Sequence, residues 1–191
     1  MFGKKPAVKK TYDEAMLYEY AIGALGRRMR TVAELKRLMR ARVSHQTDGD
    51  TLIEQVTTRL KEQRYLNDTD YASSYSAIRR DTDKFGRLRV AQELKVRGVH
   101  QDVIAKTVAE AYSEVDENKL ARQFAERKRL RQPKDQKEAA RIFRMMARAG
   151  FSSRAIGRLL RNWNVEDETL SALEAEREQA EVERHQEEDE S

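Results

Sequence analysis

Cysteine is absent from the 191-residue chain, which excludes a disulfide framework and any thiolate-held zinc or iron–sulfur centre. That absence suits a reducing compartment, so a cytoplasmic location is expected. Proline occurs twice and glycine eight times, leaving few places where a helix must break. No window approaches the roughly 18 uninterrupted apolar residues of a membrane span, and no membrane partner is expected. The opening residues carry Lys4, Lys5, Lys9 and Lys10 without an apolar segment, so they do not read as a secretory signal. Common catalytic motifs are missing too: there is no P-loop, no dinucleotide fingerprint and no GxSxG elbow. The three histidines, His45, His100 and His185, stand far apart and none lies in an HExxH pattern. They read as exposed polar residues. No catalytic residue, cofactor or metal ligand is assigned, and a binding protein rather than an enzyme is expected.

Charge is abundant instead. Charged residues make up 37% of the chain, and the net charge of +5 hides an asymmetry. From Glu166 to Ser191 there are 12 acidic and 2 basic residues, a tail of −10 on a body of +15. A basic body points to a polyanion or an acidic protein surface as partner. The tail, 166–191, reads as a solvated extension, partly helical or disordered. It could compete with a partner for the basic body.

Apolar residues recur at spacings of three and four nearly everywhere, which predicts an all-α fold. Gly86, Gly98, Pro133, Gly150 and the segment from Thr47 to Asp50 punctuate the pattern. The predicted helices group in threes: Tyr12–Arg27, Val32–Arg42 and Leu52–Gln63; Asp68–Arg80, Arg87–Arg97 and Gln101–Tyr112; Asn118–Leu130, Lys137–Ala149 and Ser153–Trp163. Thr31 with Glu34, Asn67 with Asp68, and Ser152 supply N-cap patterns. The groups align with one another. Leu35, Ala91 and Phe143 fall in step, as do Leu38, Leu94 and Met146, then Val43, Val99 and Phe151. Ile53, Ile104 and Ile156 continue the register, followed by Thr57, Val108 and Leu160. The position before the exit residue is Arg42, Gly98 and Gly150, and glycine there suits a left-handed helix end. The expected organisation is a basic leader over 1–11, three-helix repeats over 12–66, 67–115 and 116–165, and the acidic tail. Tandem units of this kind build an elongated, curved molecule that can follow a long partner.

Arginine and lysine cluster around the second helix of each repeat. Arginine's planar fork suits phosphate and carboxylate alike. The candidate contact residues are Arg87, Arg89, Lys95 and Arg97 in the middle repeat, with Arg141, Arg144 and Arg148 in the third. Helix starts near Arg87 and Lys137 are expected to add unpaired backbone N–H groups that favour anions. Most aromatics, including Tyr12, Tyr18, Phe124, Phe143 and Trp163, read as core. Tyr65, Tyr71 and Tyr75 are expected to pack the junction between the first two repeats.

The stretch from Arg64 to Val99 resembles the RecX family of recombinase regulators. It reads Arg-Tyr-Leu-Asn-Asp from Arg64, then Tyr71-Ala72, Phe85-Gly86 followed by Arg87 and Arg89, then Gln92-Glu93-Leu94-Lys95 and Arg97-Gly98-Val99. Ala24-Leu25 with Glu34-Leu35 and Leu38 matches the family's first repeat. Ala149-Gly150-Phe151-Ser152 with Ile156 matches its last. Arg64 replaces the usual Gly and Arg97 the usual Lys, and the first change asks whether that turn still takes a positive φ. The resemblance implies a non-enzymatic modulator of RecA that acts in DNA repair, recombination and the SOS response. Such a protein, a monomer, would bind in the groove of the RecA–DNA filament, limiting its growth, strand exchange and coprotease activity. Single- or double-stranded DNA is a further expected partner. The alternative is a direct DNA binder built of helix-turn-helix-like units.

Overall fold

The structure is a computed structural model and describes residues 10–189. Most of the expected leader, and the last two residues of the tail, lie outside the described residues, as does the side chain of His185. Among the described residues ten α-helices follow one another and there is no strand. They are α1 (Glu14–Arg27), α2 (Val32–Val43), α3 (Gly49–Glu62), α4 (Asp68–Ile78), α5 (Arg87–Val96), α6 (Gln101–Ala111), α7 (Glu117–Arg127), α8 (Gln136–Arg148), α9 (Ser153–Arg161) and α10 (Asp167–Asp189). A single π-helical turn, Arg79–Asp83, continues α4 and ends on Lys84 in the left-handed region. Among the described residues no helix is long and apolar enough to cross a membrane.

Starts and stops obey local chemistry. The Thr31 hydroxyl accepts from the N–H of Glu34 at 3.0 Å, and the Ser152 hydroxyl from that of Ala155 at 3.2 Å. Asn67 caps α4 through the N–H of Thr69 at 2.9 Å. Five helices, α3, α5, α7, α8 and α9, end in one motif. The residue just past the end has φ between 53° and 89°: Arg64, Gly98, Arg129, Gly150 and Asn164. The next N–H then reaches back to the carbonyl five residues earlier, as from Tyr65 to Leu60 (2.9 Å) and from Phe151 to Met146 (3.3 Å). Arg64 therefore takes the positive φ of the glycine it replaces. The first repeat differs at its middle helix: α2 stops on Ser44 in a right-handed conformation.

The chain divides into two compact units. One holds the residues up to Ser74 together with Leu94–Thr107; the other holds Tyr75–Glu93 and Val108 onward. The boundary passes through α4, α5 and α6, so the middle repeat contributes to both. In the first unit, α1, α2 and α3 enclose Leu17, Ala21, Leu35, Met39, Val43, Ile53, Val56 and Leu60. In the second, α7, α8 and α9 enclose Leu120, Phe124, Ile142, Phe143, Met146, Phe151, Ile156 and Leu160. The register read from the sequence is the register of burial: Val43, Val99 and Phe151 are all buried, as are Ile53, Ile104 and Ile156. Ala91 and Leu38 are only half-buried.

Two expectations change. Leu170 and Leu173 of α10 are buried in the core of the second unit, so the acidic tail begins as a packed helix rather than a solvated extension. Tyr65 is 61% exposed and packs no junction, whereas Tyr71 is buried.

Candidate functional site

The middle helices meet end to end, once within each unit. In the second unit the start of α5 abuts the end of α8. The Gly86 N–H donates to the Ala149 carbonyl at 2.8 Å, and the Leu88 N–H to that of Gly150 at 3.3 Å. These bonds pair the last carbonyls of one helix with the first N–H groups of the other. The N–H groups expected to be free beside Arg87 are therefore already used. Those at the start of α8 face the carboxylates of Asp135 and Glu138, which accept from the Glu138 and Lys134 N–H groups. Neither helix start is an open anion site.

The contact leaves no room for side chains. A Cβ on Gly150 would lie 2.7 Å from both the Gly86 carbonyl oxygen and the Arg89 Cβ. In the first unit the start of α2 meets the end of α5 in a similar way. The buried Thr31 hydroxyl donates to the Arg97 carbonyl at 2.7 Å, and a Cβ on Gly98 would stand 2.5 Å from that of Ala33. The glycines of the second and third repeats thus sit where another helix arrives. Arg42, at the matching place in the first repeat, receives no such helix start among the described residues.

These junctions gather the candidate basic residues and sort them. In the second unit, Arg141, Arg144 and Arg148 form one stripe along α8, spaced three and four residues apart. Arg87 and Arg89 join its end, since the Arg89 guanidinium donates to the Arg148 carbonyl at 3.3 Å. Arg87, Arg141 and Arg148 are exposed, and among the described residues none forms an ion pair. Arg144 pairs with Glu176 of α10 at 3.6 Å. Arg89 is held: it lies 4.1 Å from the Phe85 ring centroid and donates to Glu93 at 2.9 Å.

Glu93 is the centre of a charged cluster that sequence reasoning overlooked. It also accepts from the Tyr75 hydroxyl at 2.6 Å and faces the Arg79 guanidinium at 3.1 Å. Arg79 in turn holds Asp83 at 2.7 Å, and Asp83 faces Arg127 at 3.6 Å. Burial pushes the Glu93 carboxyl up, but Tyr75, Arg89 and Arg79 outweigh it and hold the group below its ordinary value. Tyr112 donates to the Phe85 carbonyl at 2.8 Å, and burial raises its phenol. The cluster pins the π-helical turn and the aromatic seat under Arg89. The one sequence signal was the spacing of Arg89 and Glu93, four residues apart.

In the first unit Lys95 is exposed and Arg97 is not free. Arg97 holds Glu34 at 2.7 Å, and Arg28 approaches the same carboxylate at 4.0 Å. Asp68 accepts from the Val32 N–H at 2.8 Å. Burial raises its carboxyl above the ordinary value, with that hydrogen bond opposing. Glu34 and Asp68 therefore fix the α2 end of the junction. His45 and His100 are exposed, and among the described residues no group of three or more histidine or acidic side chains could hold a metal.

The same helices are recognisable elsewhere. A family model described as the second three-helix domain of RecX matches residues 67–108, which span α4 to α6. The regulatory protein RecX of Myxococcus xanthus is 34% identical over 163 residues, covering 78% of this chain and 84% of the relative. The chain belongs to the RecX family. RecX of Deinococcus radiodurans is 30% identical over 157 residues, covering 80% of this chain and 70% of that one. The crystal structure of RecX from Lactobacillus salivarius superposes with a TM-score of 0.60 at 20% identity, covering 79% of this chain and 96% of the other. It supports the all-helical repeat fold. These relatives are named as regulatory proteins, not as enzymes.

Proposed function

We propose that the chain regulates RecA by binding in the groove of the RecA–DNA filament, where it limits filament growth, strand exchange and coprotease activity. It acts in the cytoplasm, as a monomer and without catalysis. One observation carries this reading: Arg141 and Arg148 on α8 and Arg87 at the start of α5 are exposed and have no acidic partner among the described residues, within a chain that belongs to a regulator family. The free forks of Arg87, Arg141 and Arg148 suit carboxylates of a protein surface as well as phosphates. Action is stoichiometric. Bound protein changes filament stability by mass action, favouring whichever subunit arrangement it binds best.

The experiment is the single-stranded-DNA-dependent ATPase of the cognate RecA, titrated with this protein. Inhibition below one protein per RecA subunit is expected. Replacing Arg141 and Arg148 by Glu should weaken it at least tenfold with the fold intact by circular dichroism. Absence of inhibition at a stoichiometric excess would refute the reading. Direct DNA binding draws on the same arginines and predicts a different result: salt-sensitive binding to naked DNA, with no effect of RecA.

A further inference from the structure

The acidic helix α10 is anchored on the arginine-bearing helices of its own unit. Leu170 and Leu173 pack into the core with α8 and α9, so the first turns of α10 have one fixed position. Arg177 donates to the Phe151 carbonyl at 3.1 Å and fixes the next turn. That position sets carboxylates against arginines. Asp167 accepts from Arg161 of α9 at 2.6 Å, and Glu176 faces Arg144 of α8 at 3.6 Å. Glu174 stands over Gly157, the one residue of α9 without a side chain to hold it off. From Glu178 onward, no described side chain of α10 is buried. The helix is thus an apolar anchor that carries one carboxylate to Arg144 of the α8 stripe and another to Arg161 of the neighbouring α9.

We infer that the docked half of α10 is a built-in competitor, whose carboxylates occupy Arg144 and Arg161 until an anionic partner surface displaces them. The inference rests on the reading that this face meets the RecA filament, and it adds how that contact is regulated. Arg144 and Glu176 are both more than half exposed, 53% and 63%, so their pair is weak and easily exchanged. An exchangeable pair tunes affinity without blocking the surface. Salt screens the internal pair and the external contact alike, so the regulation is strongest at low ionic strength. Removing everything after Val165 is the wrong test, because it takes Leu170 and Leu173 out of the core.

Two charge-neutralised proteins separate local competition from net charge. In Asp167→Asn with Glu176→Gln, the docked carboxylates are lost. In Glu178→Gln with Glu183→Gln, the same two charges leave the same helix at exposed sites. RecA ATPase inhibition is titrated with both and with the parent chain at about 50 and 300 mM salt, about 14 and 6 Å of Debye length. The docked pair should inhibit three- to tenfold more tightly than the parent at low salt. The distal pair should gain less than twofold, and the differences should shrink at high salt. Equal inhibition by all three, or equal gains from the two variants, would overturn the proposal and leave the functional reading standing. No inhibition by any form would remove the functional reading, and this proposal with it.

Discussion

Substituting Gly150 by Ala tests whether the end-to-end meeting of α5 and α8 is as tight as its geometry requires. Two costs add. The backbone there has φ +89°, and an L side chain in the left-handed region costs about 1–2 kcal/mol. The new Cβ must also find space within 2.7 Å of the Gly86 carbonyl oxygen and the Arg89 Cβ. Overpacking of this kind costs about 1–3 kcal/mol. The sum, about 2–5 kcal/mol, is a large fraction of the ~5–15 kcal/mol that holds a typical domain together. Gly86→Ala isolates the second cost, because φ at Gly86 is unexceptional while its Cβ would stand 2.8 Å from the Phe151 nitrogen. A loss of about 1–3 kcal/mol is expected there. Arg64→Gly isolates the first with the opposite sign. It relieves a φ of 60°, and a gain of up to about 1 kcal/mol remains after glycine's extra unfolded-chain entropy.

Urea unfolding reads all three. Trp163 is the chain's one tryptophan and packs on the core of the second unit, so its fluorescence reports the unit that contains Gly86 and Gly150. Circular dichroism reports Arg64. The double variant at Gly86 and Gly150 should cost less than the sum of the singles, since both relieve or strain one contact. A Gly150→Ala protein within about 0.5 kcal/mol of the parent would refute the close-contact account, because the backbone conformation alone should cost more than that.

Arg97→Ala should destabilise the first unit by about 1–3 kcal/mol, because it strips a charged partner from the largely buried Glu34, whereas Lys95→Ala should leave thermal stability unchanged; melting curves of the two decide it. Leu170→Ala should cost about 2–4 kcal/mol by Trp163 fluorescence despite lying in the acidic tail; a loss under 0.5 kcal/mol would mean the helix is not packed there. Glu93 has a lowered carboxyl, so its stabilisation is present above the ordinary carboxylate range and is lost as pH falls through its folded value. Glu93→Gln should accordingly flatten the fall in stability below about pH 4, measured by urea midpoints across pH. Asp68 has the opposite sign, stabilising most when protonated, so Asp68→Asn should be no less stable than the parent at pH 7 by the same assay.

Periodicity made the helices legible because each repeat buries one stripe. Val43, Val99 and Phe151 could be aligned by eye for the same reason that they are buried. Caps were legible where the side chain bonds within three residues, as Thr31 and Ser152 do. What escaped was set by distance along the chain. Glu93 meets Tyr75 from 18 residues away, and Gly86 meets Ala149 from 63. Local reading therefore saw a free helix start at Arg87 where a second helix had already taken the N–H groups. The tail escaped for a different reason. Its composition is that of a solvated segment, and two leucines three residues apart were too small a signal against twelve carboxylates.

The basic residues show why counting charge could not locate a contact surface. Seven candidates looked alike in the sequence, but the structure divides them by what already holds them. Arg97 and Arg89 are bound to Glu34 and Glu93, and both carboxylates are largely buried, the second also held by Tyr75. Moving either arginine to a partner would strip a charged partner from a partly buried carboxylate, which costs more than an exposed contact returns. They position the junctions. Among the described residues Arg87, Lys95, Arg141 and Arg148 have no such carboxylate, and a partner gains their full charge. Arg144 falls between the two groups, because its acid comes from α10 and is largely exposed. The partner-facing residues of this chain are therefore defined less by their own charge than by the absence of an internal acid, and that absence is a property of the fold.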